Sequence, residues 1–173
     1  MSDAAAFSRE EDMYPPVTEW LRAFLAGRFR NADIDVRDTH ASPLSEYIYR
    51  HGLQTHFESD LWQTFDIRVD VTGFIKGPSA KGLAFVECKT RPISLAHISQ
   101  LLGYSRVALP IVSYLVSPAG ISGVVKALIL RYDRSDILEY AWPKGRSARR
   151  VILARWDHQT RALDSTTILP PGS

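Results

Sequence analysis

The single cysteine, Cys88, in a chain of 173 residues leaves room for neither an internal disulfide nor a cysteine-based zinc site. It follows the apolar run Leu83-Ala84-Phe85-Val86 and is expected to be a small core residue. No apolar stretch approaches the roughly 20 residues that a membrane-spanning helix needs. The opening MSDAAAFSREED has neither the basic start nor the apolar run of a secretory signal. A soluble, cytoplasmic protein with no membrane partner is the expectation. No internal repeat and no long linker divides the chain. The five histidines, His40, His51, His56, His97 and His158, show no metal-ligand spacing and read as surface or satisfied polar groups. His97, one turn before Gln100, is the one that could reach a cleft. An excess of one sign of charge is lacking too, since the formal net charge is only +2. It is unevenly spread: the first twelve residues are acidic and residues 144–161 strongly basic. That asymmetry permits nucleic-acid binding without requiring it.

What is present suits one globular domain, because 45% of the residues are hydrophobic, enough for a real core. Pro15 and Pro16 suit the first turn of a helix, where missing N–H groups cost nothing. Val17, Trp20, Leu21, Phe24 and Leu25 then recur at helical spacing to about Arg28. Residues 32–37 alternate as a strand with Ile34 and Val36 inward, and residues 43–51 read as a short helix that stops at Gly52. The polar and aromatic stretch 53–64 has no firm period and reads as a loop or ragged strand. Two strands follow, 65–75 and 83–90, joined by the turn-forming KGPSAKG. Ser94 can cap a helix to about Ala108 with Leu95, Ile98, Leu101, Leu102 and Val107 as its core side. A buried strand at 111–117 should lie parallel to the strand before that helix. Ser122 can cap a further helix to about Leu130, late strands cover 138–142 and 151–156, and the tail ILPPGS should fray. The pattern is α/β, a mixed sheet with helices on both faces.

The chemistry concentrates in FDIRVDVTGFIKGPSAKGLAFVECK, residues 65–89. Alternate strand residues share a face, so Glu87 and Lys89 point together while Cys88 points away. If the two strands pair, Asp70 lies beside them. Two carboxylates and an ammonium at the end of a buried strand are costly unless they do something. Mg²⁺ uses one or two carboxylates and keeps its remaining positions for water and substrate phosphate. Asp70 and Glu87 supply that pair, and the backbone carbonyl of Cys88 could add an oxygen. Lys89 would stand near the attacking water, its charge kept by the carboxylates, in a positioning and electrostatic role. The plain alternatives are an ion pair between Glu87 and Lys89 and a surface role for Asp70.

Asp70, then Glu87-x-Lys89 seventeen positions on at the end of an apolar strand, resembles the PD-(D/E)XK nuclease superfamily. In residues 94–104, SLAHISQLLGY, the following helix carries Gln100 and then Tyr104, as in many members. Residues 9–17, REEDMYPPV, resemble the start of other members, whose first helix opens with a Glu that approaches the metal. Met13, Tyr14 and Val17 follow Glu10 at i+3, i+4 and i+7, which favours Glu10 over Glu11 and Glu19 by register. Val69 stands where the superfamily's name puts a proline. Asp66 shares the parity of Asp70 and stays open as an alternative first ligand. Gln100 as an interfacial amide and Glu10 as an ordinary helix-start carboxylate are the bland readings.

The resemblance implies a restriction-endonuclease-like core over about residues 10–117, within a single domain of residues 1–173. An extension of about residues 118–173 matches nothing in it. It implies a metal-dependent nuclease, most simply a Mg²⁺-dependent endonuclease acting on DNA, with Mn²⁺ as substitute. Asp70, Glu87, Glu10 and the Cys88 carbonyl would serve the metal, with Lys89 and Gln100 as further catalytic groups. Arg91 is placed to touch a phosphate. Lys144, Arg146, Arg149 and Arg150, flanked by Trp142 and Trp156, could hold a nucleic-acid backbone or form a solvated loop. A homodimer would supply two sites for two strands. The alternative is a non-cleaving nucleic-acid- or protein-binding module on the same fold.

Overall fold

The computed structural model describes residues 7–78 and 80–173. Ser79, in the expected hairpin connector, and residues 1–6 of the acidic opening lie outside the described residues. Strands β1 (Asp33–Asp38), β2 (Val71–Lys76) and β3 (Lys81–Cys88) form an antiparallel meander. Strand β4 (Val112–Ser117) lies parallel to β3, and β6 (Arg149–Asp157) parallel to β4. Strands β5 (Glu139–Ala141) and β7 (Ala162–Leu163) pair antiparallel with opposite ends of β6. The result is a seven-stranded mixed sheet with the order β1-β2-β3-β4-β6-β5. Helices α1 (Tyr14–Arg28), α2 (Leu44–Arg50), α3 (Leu95–Ala108) and α4 (Gly123–Lys126) complete the α/β architecture.

Strand alternation divides the core in two. On one face Val71, Ile75, Ala84, Val86, Cys88 and Val116 meet Val17, Leu21 and Leu25 of α1. On the other, Phe74, Leu83, Phe85, Leu115 and Leu153 meet Leu44 and Ile48 of α2, Ile98 and Leu101 of α3, and Val125 of α4. Because both faces are covered, β3 reads as a continuous apolar run rather than an alternating one. Helix α1 sits close on the sheet at Gly73, where an added Cβ would lie 2.6 Å from Leu25 Cδ1. That close seating fixes where the first turn of α1 meets the end of β3.

Three expectations are corrected. Residues 65–70 alternate like a strand, with Phe65, Ile67 and Val69 buried and Asp66 and Arg68 exposed, yet the strand begins only at Val71. Carbonyls of this segment instead take the first amides of α2: Leu44 N–H donates to Ile67 O (2.8 Å) and Ser45 N–H to Phe65 O (3.1 Å). Leu95 and Val107 of α3 are exposed, because the buried stripe is Ile98, Leu101 and Ser105. Ser105 is tolerated there through a 2.8 Å hydroxyl hydrogen bond to Ser113 of β4. Of the two readings of residues 53–64 the loop holds, with short 3₁₀ segments at Gln54–His56 and Asp60–Thr64. The tail does not fray at Leu169, which is buried and exchanges backbone hydrogen bonds with Leu153 at 2.8 and 2.9 Å. The caps at Ser94 and Ser122 form as expected, accepting from His97 N–H and Val125 N–H. The helix capped by Ser122 is α-helical over Gly123–Lys126 and continues as a π-helical turn over Ala127–Arg131, reaching the expected end near Leu130.

Candidate active site

Amides along a central strand point alternately to its two neighbours. Lys89 N–H donates to Val116 O of β4 at 2.9 Å, so Cys88 N–H faces β2. The β2–β3 ladder stops at the Val71–Val86 pair, and one further step of the same register sets Asp70 across from Glu87. The nearby carbonyl of Val69 is taken by the Thr39 hydroxyl at 2.7 Å. Cys88 N–H donates instead to Asp70 Oδ2, at 2.8 Å. Asp70 Oδ1 accepts from the Tyr14 hydroxyl of α1, also at 2.8 Å. The side chain of Asp70 therefore ties α1 to the last residue of β3.

Glu87 is 2% exposed and Lys89 8%. Glu87 Oε1 accepts from Lys89 Nζ and from Gln100 Nε2 of α3, each at 3.0 Å. Gln100 Nε2 lies 3.1 Å from the Tyr104 hydroxyl one turn on, so the amide is held from both sides. Lys89 Nζ also reaches Glu10 Oε2 at 3.5 Å, from the 3₁₀ turn that precedes α1. Glu87 Oε2, by contrast, is buried with no hydrogen-bond partner among the described residues. A naked carboxylate oxygen in an interior costs the full loss of its hydration.

Three acids around one ammonium leave negative charge in excess. Burial and the Asp70 charge push the Glu87 carboxyl up to about 7, and Lys89 only partly counters them. Burial also raises Asp70 against the Cys88 N–H, Tyr14 hydroxyl and Lys89 charge that lower it. For Lys89 burial works against the charge, but Glu87, Glu10 and Asp70 outweigh it and the ammonium is retained. Lys89 is thus built as a cation, a donor rather than a base.

The chain brings Asp70, Glu87, Lys89, Gln100 and Glu10 to one end of the sheet. It turns their rivals elsewhere: Glu11 lies 3.5 Å from Arg9, Glu19 lies 2.9 Å from Arg161, and Asp66 is exposed. Among the described residues no group of three or more His, Cys, Asp or Glu is arranged to hold a metal ion. Glu10 lies on the outer side of Lys89, with 38% of its side chain exposed. A Mg²⁺ ion does not require three acids, since water and substrate phosphate fill most of its positions. The orphaned, buried Glu87 Oε2 beside a second carboxylate fits such an ion by donor type and charge. The two hydrogen bonds on Asp70 leave each of its oxygens a further lone pair.

Of the five expected phosphate contacts, Arg91 alone lies at this end, just past β3. Lys144 and Arg146 of the loop before β6, and Arg149 and Arg150 at its start, lie at the opposite end, where β6 begins beside the start of β4. There Arg149 donates to the carbonyls of Leu109 (3.1 Å) and Pro110 (3.2 Å), and Arg150 pairs with Glu139 at 2.7 Å. Trp156 is core, whereas Trp142 is 64% exposed. His97 sits beside the cluster but accepts from Ser94 N–H at 3.2 Å as part of the α3 cap. Sequence reasoning missed two groups here. Tyr14 was legible only as a helix-start aromatic, and the His40 ring stands 4.9 Å from the Tyr14 ring. The i+4 spacing from Glu10 to Tyr14 is the one signal that could have linked Tyr14 to the site. No family model, no curated protein and no solved structure matches this chain.

Proposed function

We propose that this protein is a Mg²⁺-dependent phosphodiesterase that hydrolyses nucleic acid, most simply DNA, on a restriction-endonuclease-like core. The observation that carries the reading is the state of Glu87. One oxygen is fixed by Lys89 and Gln100, the other is buried and unpaired, and the charge of Asp70 acts on the same carboxyl. A structural ion pair has no use for a second carboxylate that pushes the first toward its neutral form.

Asp70 and Glu87 would hold the ion, with the Cys88 carbonyl and Glu10 as further oxygens, and Mn²⁺ would substitute. When bound, the ion supplies Lewis-acid polarisation of the scissile phosphate. Tyr14 and Cys88 N–H hold Asp70 in one rotamer, so its position is set before substrate arrives. Lys89, kept cationic, orients the attacking water and stabilises the charge that builds on phosphorus oxygens. Gln100 holds Glu87 Oε1 together with Lys89 and leaves Oε2 without a protein donor among the described residues. Water attacks phosphorus and the P–O3′ bond breaks, leaving 5′-phosphate and 3′-hydroxyl ends as the superfamily resemblance implies. Arg91, directly after the strand, is the residue assigned to the flanking phosphate.

The test is incubation of the purified protein with plasmid, linear and branched DNA and with RNA, in Mg²⁺, Mn²⁺ or EDTA. Cleavage that requires the ion and falls at least about 100-fold in Glu87→Ala supports the reading. Binding without cleavage, unaffected by Mg²⁺, makes the protein a binding module and overturns it.

A further inference from the structure

At the end of the sheet opposite Glu87, a cavity of about 910 Å³ opens beside the β2–β3 turn and the carboxyl end of α3. Phe57, Phe65, Leu83 and Leu109 line it, and Phe57 and Phe65 meet edge to face at 6.0 Å. Into this apolar wall the chain sets His56, 8% exposed, with neither ring nitrogen partnered among the described residues. A neutral imidazole carries one donor and one acceptor, and both are unmet. Lys76 and Lys81 also line the cavity and stand directly opposite each other across β2 and β3. Like charges in that position destabilise a hairpin. Among the described residues neither lysine forms an ion pair, although Lys76 Nζ lies 3.4 Å from the Thr55 hydroxyl. Glu58 is the one acid on the lining. The Leu109 carbonyl at the end of α3, which would repel an anion, is taken by Arg149.

We propose that this cavity binds a nucleoside monophosphate, with its phosphate between Lys76 and Lys81 and its base against Phe57, Leu61 and Leu109. A phosphate monoester carries a charge of about −1.5 to −2 at pH 7, which the two ammonium groups carried by these opposed strand positions match. Phe57, only partly buried, offers its ring to the face of any base. His56 offers one donor and one acceptor to the base edge. Its ring must turn toward the cavity to do so, and having no partners it breaks no hydrogen bond in turning. The volume of about 910 Å³ lies within the range of small-molecule sites. The site stands independently of the hydrolysis proposed above, since the two share no residue.

The experiment is calorimetric titration of the full chain, in EDTA, with the 5′-monophosphates of adenosine, guanosine, cytidine and uridine. Their nucleosides and inorganic phosphate are titrated alongside. At least one monophosphate should bind tenfold or more tighter than both its nucleoside and phosphate. Lys76→Ala and Lys81→Ala should each weaken it about tenfold, while Glu87→Gln leaves it unchanged. His56→Phe should weaken it as well. If that variant does not fold, the exposed lysines decide the matter alone. Failure of all four to outbind phosphate overturns the proposal, as does binding that survives both lysine substitutions.

Discussion

Asp70 takes the place of a strand partner for Cys88: its Oδ2 accepts the Cys88 N–H at 2.8 Å where the β2–β3 ladder has already stopped. A carboxylate used in this way closes the sheet end and is buried by doing so. The Tyr14 hydroxyl completes its setting from α1. Position and cost come together, because the same burial that fixes Asp70 raises its carboxyl and that of Glu87.

Tyr14→Phe removes the hydroxyl and leaves Asp70 with a single tie. A buried hydrogen bond to a charged acceptor contributes about 1.5–3 kcal/mol. Chemical denaturation should show a loss of that size, and cleavage should slow with Km for nucleic acid little changed.

Glu87→Gln keeps the shape that Lys89 and Gln100 hold while removing one buried negative charge. Without metal the variant should be more stable than the wild type at pH 8, and its cleavage should fall at least about 100-fold. The pH dependence has a definite sign. The folded-state carboxyl is raised to about 7 from its ordinary value near 4.5. Its contribution is therefore fully present below about pH 4.5 and is lost as pH rises to about 7. In EDTA the melting temperature of the wild type should drop relative to Glu87→Gln across that window, by several degrees, and run parallel above it. Parallel curves throughout would contradict the assignment.

Lys89→Met leaves Glu87 buried without its cation. Breaking a buried pair in this way costs about 3–5 kcal/mol. The same change should abolish cleavage, and Mg²⁺ should restore more stability to this variant than it adds to the wild type, since the ion replaces the missing charge.

Mg²⁺ itself should raise the wild-type melting temperature. At a concentration 100 times its dissociation constant the gain is about 2.7 kcal/mol, or about 5–11 °C for a chain of this size. Asp70→Asn and Glu87→Gln should each lose most of that gain in a thermal melt.

Much of this site was legible because its signals are local. The apolar run into Glu87-Cys88-Lys89 has strand parity written into it, and Ser94 with Gln100 and Tyr104 follows from helical spacing. What stayed hidden depends on partners distant in the chain. Residues 65–70 carry the alternation of a strand, but pairing is decided by where β3 ends, not by their own pattern. Leu169 looked like part of a loose tail until β6 was there to pair with it. Residues 144–150 read either as a hold for a nucleic-acid backbone or as a solvated segment, and the parallel course of β4 and β6 sets them at the end of the sheet away from the carboxylates. Tyr14 lies 56 positions from the carboxylate it holds, and no periodicity reports such a contact.

The central claim is that Asp70 and Glu87 share one divalent ion, and a crystal soaked in Mn²⁺ with diffraction recorded for anomalous signal tests it most directly. The account predicts a single strong peak in contact with oxygens of both side chains, absent from Glu87→Gln crystals. A saturated crystal with no peak there, or with manganese bound only elsewhere, contradicts it.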